Sequence, residues 1–270
     1  MPELPEVETI RRSLTPYIVG RRIADVEVYE RRFRQRIQRD LEARLRGRSF
    51  RRIERRGKYL LFVLDDRQCL LLHLGMSGSL EIRRARDPVV RHDHVRVRLD
   101  GRRVLVFNDP RRFGLLRVGN RRELHELDRV GLDPLDDDWS AEQLRRLARG
   151  RRRPIKNVLM DQRLLAGIGN IYANEILYQA GIRPTRRAGS LRRRELEALA
   201  TATVTVLGRA VDLGGSSISD YVDGEGQPGN FQLHFAVYDR YRQPCQQCAT
   251  PIRRIVLGGR STFYCPRCQR

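Results

Sequence analysis

The sequence predicts an α+β protein: an N-terminal helix and a β-sandwich, then a helical region, then a metal-binding β-hairpin. Three observations predict it. Apolar residues fall at helical spacing from Val7 to Ile18, then alternate or run together in strand-like segments up to about residue 132. The pattern turns helical from Pro154 to about Val211. Four Cys in two closely spaced pairs end the chain.

Taken in order, Val7, Ile10, Leu14 and Ile18 share one helical face, and Gly20 can stop that helix. Strands follow in "IADVEVY", "YLLFVLD", "CLLLHLGMSGSLEI", "HVRVRL" and "RVLVFND". Asp100-Gly101 is a good hairpin turn between the last two, and Cys69 reads as a core residue. "GLDPLDDDWSAEQ" is acidic and turn-rich, a linker leading into a short helix. After the helical region, "DLGGSSISDYVDGEGQPGNF" runs about twenty residues with little periodicity, and loops of that length are usually functional or disordered. The expected division is 1–132 sandwich, 133–152 linker, 153–235 helical domain with the long loop, and 236–270 finger. No internal repeat is visible.

Cys245-x2-Cys248-x16-Cys265-x2-Cys268 matches the spacing of a four-thiolate zinc site. Each pair sits in a polar knuckle, and "RRIVLGGRSTFY" between them reads as a hairpin turning at Gly258-Gly259. Two disulfides are the alternative, and an unsignalled chain argues against them. Four thiolates leave no position for water, so one structural Zn2+ is expected, with no catalytic metal or organic cofactor.

The 270 residues suit one large domain or two modest ones. A net charge of +21 points to a polyanionic partner, most simply nucleic acid. A membrane surface is the rival, but no apolar run approaches the roughly 18 residues of a spanning helix. The acidic first residues show no secretory signal, so a soluble intracellular protein is expected. Lysine occurs only at Lys58 and Lys156, and the other 52 of the 54 basic residues are Arg. Compositional bias explains the arginines. The two survivors mark positions that need an amine, or chance.

The opening "MPELPEVET" concentrates Pro2, Glu3, Pro5 and Glu6. With Met1 removed, Pro2 carries a secondary amine whose reference pKa, near 7.7–8.0, leaves a useful neutral fraction. Such an amine attacks an aldehyde-like carbon and forms an iminium, an electron sink for elimination. Glu3 is placed to shuttle protons, and Glu6 lies one helical turn on. The plain alternative is a helix cap, since Pro and carboxylates are ordinary in a first turn.

"PELPEVET", "GKYLL", "HLGMSGSL", "HDHV", "DPRRFG", "LMDQRLLAGIGNIYANE", "GQPGNF" and the terminal finger together resemble the bacterial formamidopyrimidine-DNA glycosylase family over essentially the whole chain. The resemblance implies a bifunctional repair enzyme. It excises oxidised purines, chiefly 8-oxoguanine and formamidopyrimidines, from double-stranded DNA and cuts the strand by β,δ-elimination. It also implies a cytoplasmic monomer whose helical domain is a helix–two-turns–helix module. Pro2 would be the Schiff-base nucleophile at C1′, Glu3 the general acid/base, and Glu6 a holder of the damaged base or sugar. Lys58 matches the lysine of the β-elimination step, for which a strand-edge lysine is the bland reading. Arg260 matches the arginine gripping the phosphate that flanks the lesion, to which the resemblance also gives a catalytic role in δ-elimination. Lys156 matches a lysine associated with the damaged purine.

Met76, Arg111 and Phe113 match the trio that fills the void left by a flipped base, although alone Met76 and Phe113 would read as core. Asn170 matches a phosphate contact, and the glycines before it let backbone approach a phosphate. On spacing alone this is an interhelical turn. His73, His92, Arg112, Arg151 and Tyr238 fall on further DNA-contact positions, with a structural histidine the alternative for His92. The 214–231 loop aligns with the lesion-recognition loop, and Ser217 and Tyr221 are its base-reading candidates. Asp239 stands where the family often has Gly, an acid near a DNA-binding strand. Two rivals remain. The sibling endonuclease VIII branch removes oxidised pyrimidines, and Leu4 and "DPRRFG" argue against it. An idle DNA-binding zinc protein leaves the terminal cluster unexplained.

Overall fold

The computed structural model describes residues 2–136, 138–218 and 221–270. They form two compact units. The first is the N-terminal part through Asp128 together with Gly214–Asn230, and the second is Arg129–Leu213 with Phe231–Arg270.

The first unit opens with α1 (Leu4–Ile18). It begins three residues earlier than its apolar face suggests, because Glu3 occupies the N-cap position and Pro5 is tolerated in the first turn. Gly20, at φ +82°, turns the chain away, as expected. Two antiparallel four-stranded sheets follow. One has the order β1 (Ile23–Val28), β6 (Asp93–Leu99), β7 (Arg103–Asn108), β5 (Ser79–Arg84). The other runs β2 (Phe50–Arg56), β3 (Tyr59–Leu64), β4 (Cys69–His73), β8 (Leu115–Gly119). The core lies between them. Phe50, Leu60, Phe62 and Leu72 of one sheet, and Val95, Val97, Leu105 and Phe107 of the other, pack with Ile10, Leu14 and Ile18 of α1. Cys69 is buried with Leu61 and Leu71 on the opposite face of the second sheet.

Three elements were not legible. A short α2 (Leu41–Leu45) and β8 carry little periodicity. In β2 the register shifts between Phe50 and Arg52, so Phe50 and Ile53, three apart, both face inward and no alternation is visible. "CLLLHLGMSGSLEI", expected as one strand region, crosses from one sheet to the other through a turn at 74–78.

The second unit holds α3 (Ala141–Ala148), α4 (Ile155–Leu159), α5 (Asn170–Gln179), α6 (Arg193–Asp212) and the hairpin β9 (Arg253–Leu257) and β10 (Arg260–Tyr264). The expected 133–152 linker is built into this unit. Ala166 N–H donates to Leu132 O at 2.7 Å, and the indole of Trp139 donates to Ala200 O at 3.1 Å. The long loop, expected with the helical domain, belongs with the sandwich unit instead. Among the described residues no helix is long and apolar enough to cross a membrane.

Candidate active site and nucleic-acid interface

Pro2, Glu3 and Glu6 are all buried, the two carboxylates at 3% and 2% exposure. The Glu3 N–H donates to Glu6 Oε2 at 2.8 Å, so Glu6 does cap the helix. Its other oxygen is engaged as well: Oε1 accepts from Ser216 N–H at 2.8 Å and Ser216 Oγ at 3.1 Å. A surface cap needs neither burial nor a partner 210 residues away. The helix cap and this buried carboxylate cluster are the same group of atoms.

Lys58 follows Gly57 (φ +56°) in the tight turn between β2 and β3, and is only 7% exposed. That rules out a solvated strand-edge lysine. The turn is tied to α1 by Arg55, which donates to Glu8 Oε2 at 3.1 Å and to Gly57 O at 3.4 Å. Burial pushes the Glu8 carboxyl up, but hydrogen bonds from Arg11 and Arg12 and the charges of Arg11 and Arg55 outweigh it and bring it down to about 2. This ion cluster holds the Lys58 turn against the helix that carries Glu3 and Glu6.

His73 ends β4, half-buried, its ring 4.9 Å from that of Tyr59. Burial and then the Lys58 charge hold its pKa down to about 4. Its Nδ1 accepts the Gly75 N–H at 3.0 Å, which leaves the proton on Nε2. His73 is therefore a neutral donor at neutral pH, not a cation. Since the unfolded chain binds this proton near pH 6.5 and the folded chain only near pH 4, stability is complete above about 6.5 and declines as pH falls toward 4. At about 1.4 kcal/mol per unit this is worth a few kcal/mol at most. His73→Gln is expected to flatten urea stability between pH 7 and 4.5. An imidazole NMR titration centred near 6.5 in the folded protein would contradict the assignment.

The turn at 74–78 is stacked on the 109–114 segment. Cβ atoms on Gly75 and Gly114 would lie 2.5 Å from Phe113 C and 2.6 Å from the Phe107 ring, so only glycine allows this approach. Asp109, fully buried, organises the pair: Oδ1 accepts Ser77 Oγ–H at 2.8 Å, Oδ2 accepts Gly114 N–H at 2.8 Å, and its carbonyl meets His94 Nε2 at 2.9 Å. This rigid base presents Met76 and Phe113 to solvent at 41% and 45% exposure, with the Arg111 guanidinium 4.6 Å from the Phe113 ring. A core reading of Met76 and Phe113 fails. His92 (φ +70°) and Arg112 (φ +55°) both adopt the left-handed region, which non-glycine residues enter where surrounding structure compels it. The His92 carbonyl accepts the Asp109 N–H at 3.1 Å. Asp109 was missed in the sequence, although its place in "NDPRRFG" signals a turn.

In the second unit, Asn170 opens α5 after a two-turn connection shaped by Gln162, another residue the sequence did not flag. Gln162 accepts the Gly167 N–H at 2.9 Å and donates to Ile168 O at 2.7 Å. Gly167 takes φ +86°. Arg151, half-buried, donates to Leu147 O at 2.6 Å. Lys156, expected among the DNA contacts, is fully buried. Its Nζ donates to Asn170 Oδ1 at 2.7 Å, Thr262 Oγ1 at 2.7 Å and Ser261 O at 3.1 Å. It braces the helical module to the strand that begins at the exposed Arg260. A guanidinium is larger and planar, so bias toward arginine stops at this closed pocket. Lys156→Arg is expected to lose about 1–3 kcal/mol by overpacking. Urea unfolding within about 0.5 kcal/mol of wild type would contradict the brace.

The finger is seated on α5 by two more buried groups. Asn174 Oδ1 accepts Phe263 N–H at 2.9 Å, and Glu175 accepts the amides of Ala236, Val237 and Tyr238 at 2.7–3.0 Å. The Tyr238 ring packs edge-on against Phe263, 5.4 Å between centroids. Asp239 has φ +57°, where Gly is easiest and Asp is tolerated, so its departure from the family residue has a backbone setting. The turn Gly258-Gly259 is left-handed at both positions, as a two-residue hairpin requires. The sulfurs of Cys245, Cys248, Cys265 and Cys268 lie within 4.8 Å of one another, and this all-thiol set fits a structural zinc ion. Tyr178 Oη lies 3.3 Å from Cys245 Sγ, a hydrogen bond outside that shell.

Comparison with known proteins agrees at every level. Residues 1–116 match the formamidopyrimidine-DNA glycosylase N-terminal domain, 130–222 the H2TH domain of the same glycosylase, and 242–270 a zinc finger found in FPG and IleRS. A formamidopyrimidine-DNA glycosylase of Hahella chejuensis is 47% identical over 272 residues, covering 100% of both chains. The crystal structure of MutM (Fpg) from Thermus thermophilus superposes with a TM-score of 0.88 at 42% identity, covering 99% of this chain and 98% of that one. The Lactococcus lactis Fpg complex with Fapy-dG-containing DNA gives a TM-score of 0.90 at 33% identity, covering 99% and 100%. The chain belongs to the formamidopyrimidine-DNA glycosylase family.

Proposed function

We infer that this protein is a bifunctional DNA glycosylase and AP lyase that removes oxidised purines from double-stranded DNA and then nicks the strand. The observation that carries the reading is the buried Pro2, Glu3 and Glu6 cluster at the start of α1 in a member of this family. The Lactococcus lactis relative was solved with Fapy-dG-containing DNA, which supports the same substrate class here.

With Met1 removed, the Pro2 nitrogen bonds to C1′, and the damaged base leaves with the electron pair of its glycosidic bond. Glu3 protonates the ring oxygen, the sugar opens, and an iminium forms. Loss of a C2′ proton then breaks the C3′–O bond and frees the phosphate. A second elimination does the same at C5′. Lys58 serves the first elimination and Arg260 holds the flanking phosphate. Met76, Arg111 and Phe113 occupy the space of the flipped nucleotide. His73, His92, Arg112, Arg151, Asn170 and Tyr238 contact DNA. Lys156 acts through Asn170 and the Arg260 strand. The enzyme works as a monomer in the bacterial cytoplasm, held near DNA by its positive charge.

Borohydride reduction with an 8-oxoguanine duplex is expected to yield a covalent protein–DNA adduct. Trapping on oxidised pyrimidine alone would favour the endonuclease VIII branch, and DNA binding with no adduct or excision would leave a binding protein only. Lys58→Arg keeps the charge, so the salt slope should change by less than about one phosphate equivalent. Single-turnover excision and cleavage should nevertheless fall, because arginine holds its proton. Wild-type rates would reduce Lys58 to a phosphate clamp.

A further inference from the structure

The loop from Gly214 to Asn230 is fastened to α1 at two separate places. The first is its stem. Gly215 lies so close to Glu6 that a Cβ would stand 2.9 Å from Oε1, the oxygen that also receives Ser216. Gly229 crosses behind it, where a Cβ would meet Gly215 O at 2.3 Å. The second place is a knot, Asp223–Gln227. Asp223 Oδ1 accepts the amides of Glu225 and Gln227, both at 2.9 Å, and Asp223 N–H donates to Gln227 O at 2.8 Å. The knot is docked on α1 and β5: Gly224 N–H donates to Ser13 Oγ at 2.9 Å, Ile82 N–H donates to Gly224 O at 2.8 Å, and Tyr17 Oη–H donates to Glu225 Oε2 at 2.8 Å. A Cβ on Gly224 would lie 2.5 Å from Leu14 Cγ.

The base-reading candidates lie between these fastenings, and both are already engaged within this unit. Ser217 Oγ–H donates to Tyr221 O at 2.7 Å and accepts Gly229 N–H at 2.9 Å, while Tyr221 Oη–H donates to Glu6 O at 3.2 Å. One helix therefore carries the reacting terminus, the stem and the knot. Its rise of about 1.5 Å per residue sets roughly 15 Å between Glu3 and Ser13.

We propose that the Asp223–Gln227 knot is a positioning anchor for lesion selection, with Ser13 and Gly224 as the residues that set it. The proposal rests on the glycosylase reading above. Moving the knot shifts the loop relative to Glu3 without substituting Glu3, Glu6 or Lys58. Base removal depends on how the loop meets the damaged base. Nicking a preformed abasic site has no base to read.

The test is single-turnover kinetics of wild type, Gly224→Ala and Ser13→Ala on an 8-oxoguanine duplex and on a duplex with a preformed abasic site. Gly224→Ala is expected to excise at least roughly tenfold more slowly while nicking the abasic site within about twofold of wild type, as a misplaced recognition group should. Ser13→Ala removes the bond from Gly224 N–H, together with Ser13's own bond to Ile10 O within α1, without a clash, and should move the same ratio by about threefold. If Gly224→Ala does not fold, the Ser13→Ala ratio decides. Unchanged excision in a folded Gly224→Ala overturns the anchor, and so does an equal loss in both reactions, the mark of a merely structural role. A wild-type protein that neither excises nor nicks overturns the enzymatic reading and the anchor with it.

Discussion

Acetylating the Pro2 amine, or leaving Met1 attached to it, is expected to abolish covalent trapping on an 8-oxoguanine duplex. The proposed chemistry needs a neutral secondary amine, and an amide nitrogen has no basic lone pair to give. Pro2→Gly supplies a primary amine and should retain part of the activity. Its iminium can lose an N–H proton, so it is a weaker electron sink. Glu3→Gln keeps the shape of a buried side chain and removes its proton chemistry. General acid–base catalysis is worth roughly 10²–10⁴-fold, so excision should fall by about that factor while DNA affinity holds. Borohydride trapping, with mass spectrometry of the adduct peptide, reads both results. An acetylated protein that traps fully would remove Pro2 from the mechanism, and a Glu3→Gln variant at wild-type rate would leave Glu3 a helix cap.

Stripping zinc is expected to remove DNA binding and leave the sandwich folded. The finger core consists of Val237, Cys245, Ile252, Phe263 and Cys265, and two of these five are ligands. Two five-residue strands with so small a core cannot hold themselves. Structural zinc supplies about 10–16 kcal/mol in isolated fingers. Without it, Arg260 loses the hairpin that aims it, and Lys156, Asn174 and Glu175 lose the backbone they bind. Losing even one charged contact costs about 1.5–3 kcal/mol, roughly tenfold to a hundredfold in affinity. The sandwich has its own core, from Ile10 and Leu14 to Phe62 and Phe107, and should keep its thermal transition. Metal analysis, filter binding and calorimetry on chelator-treated protein check this. Active protein free of zinc, or tight binding after stripping, would refute it.

Much of the candidate site was legible because it consists of residue types in short, rigid spacings. The four Cys, the Gly258-Gly259 turn and the Pro2–Glu6 cluster are local in the chain, so local rules suffice for them. The scarcity of lysine singled out Lys58 and Lys156 from composition alone. What composition could not do was separate them. Both are buried, yet one stands in a turn beside His73 and the other is enclosed by acceptors from Asn170, Ser261 and Thr262. Two of those acceptors are more than a hundred positions from Lys156, and no periodicity reports such a contact.

The same limit explains what else local rules leave unread. Met76 and Phe113 are apolar, and apolar residues are usually core. Only the stacking of two glycine turns on Asp109 turns them outward. The 214–230 segment lacks periodicity because it makes no regular element, and its ownership by the sandwich unit rests on hydrogen bonds to Glu6 and Ser13 some 200 positions earlier. β2 hid behind a bulge that moved its two inward residues out of alternation. By itself the sequence determined the classes of chemistry: an amine with two carboxylates, a four-thiolate metal site and a polyanion-binding charge. The tertiary structure decided which side chains are left exposed and which are turned inward as braces, because burial and hydrogen-bond partners are set by residues far apart in the chain.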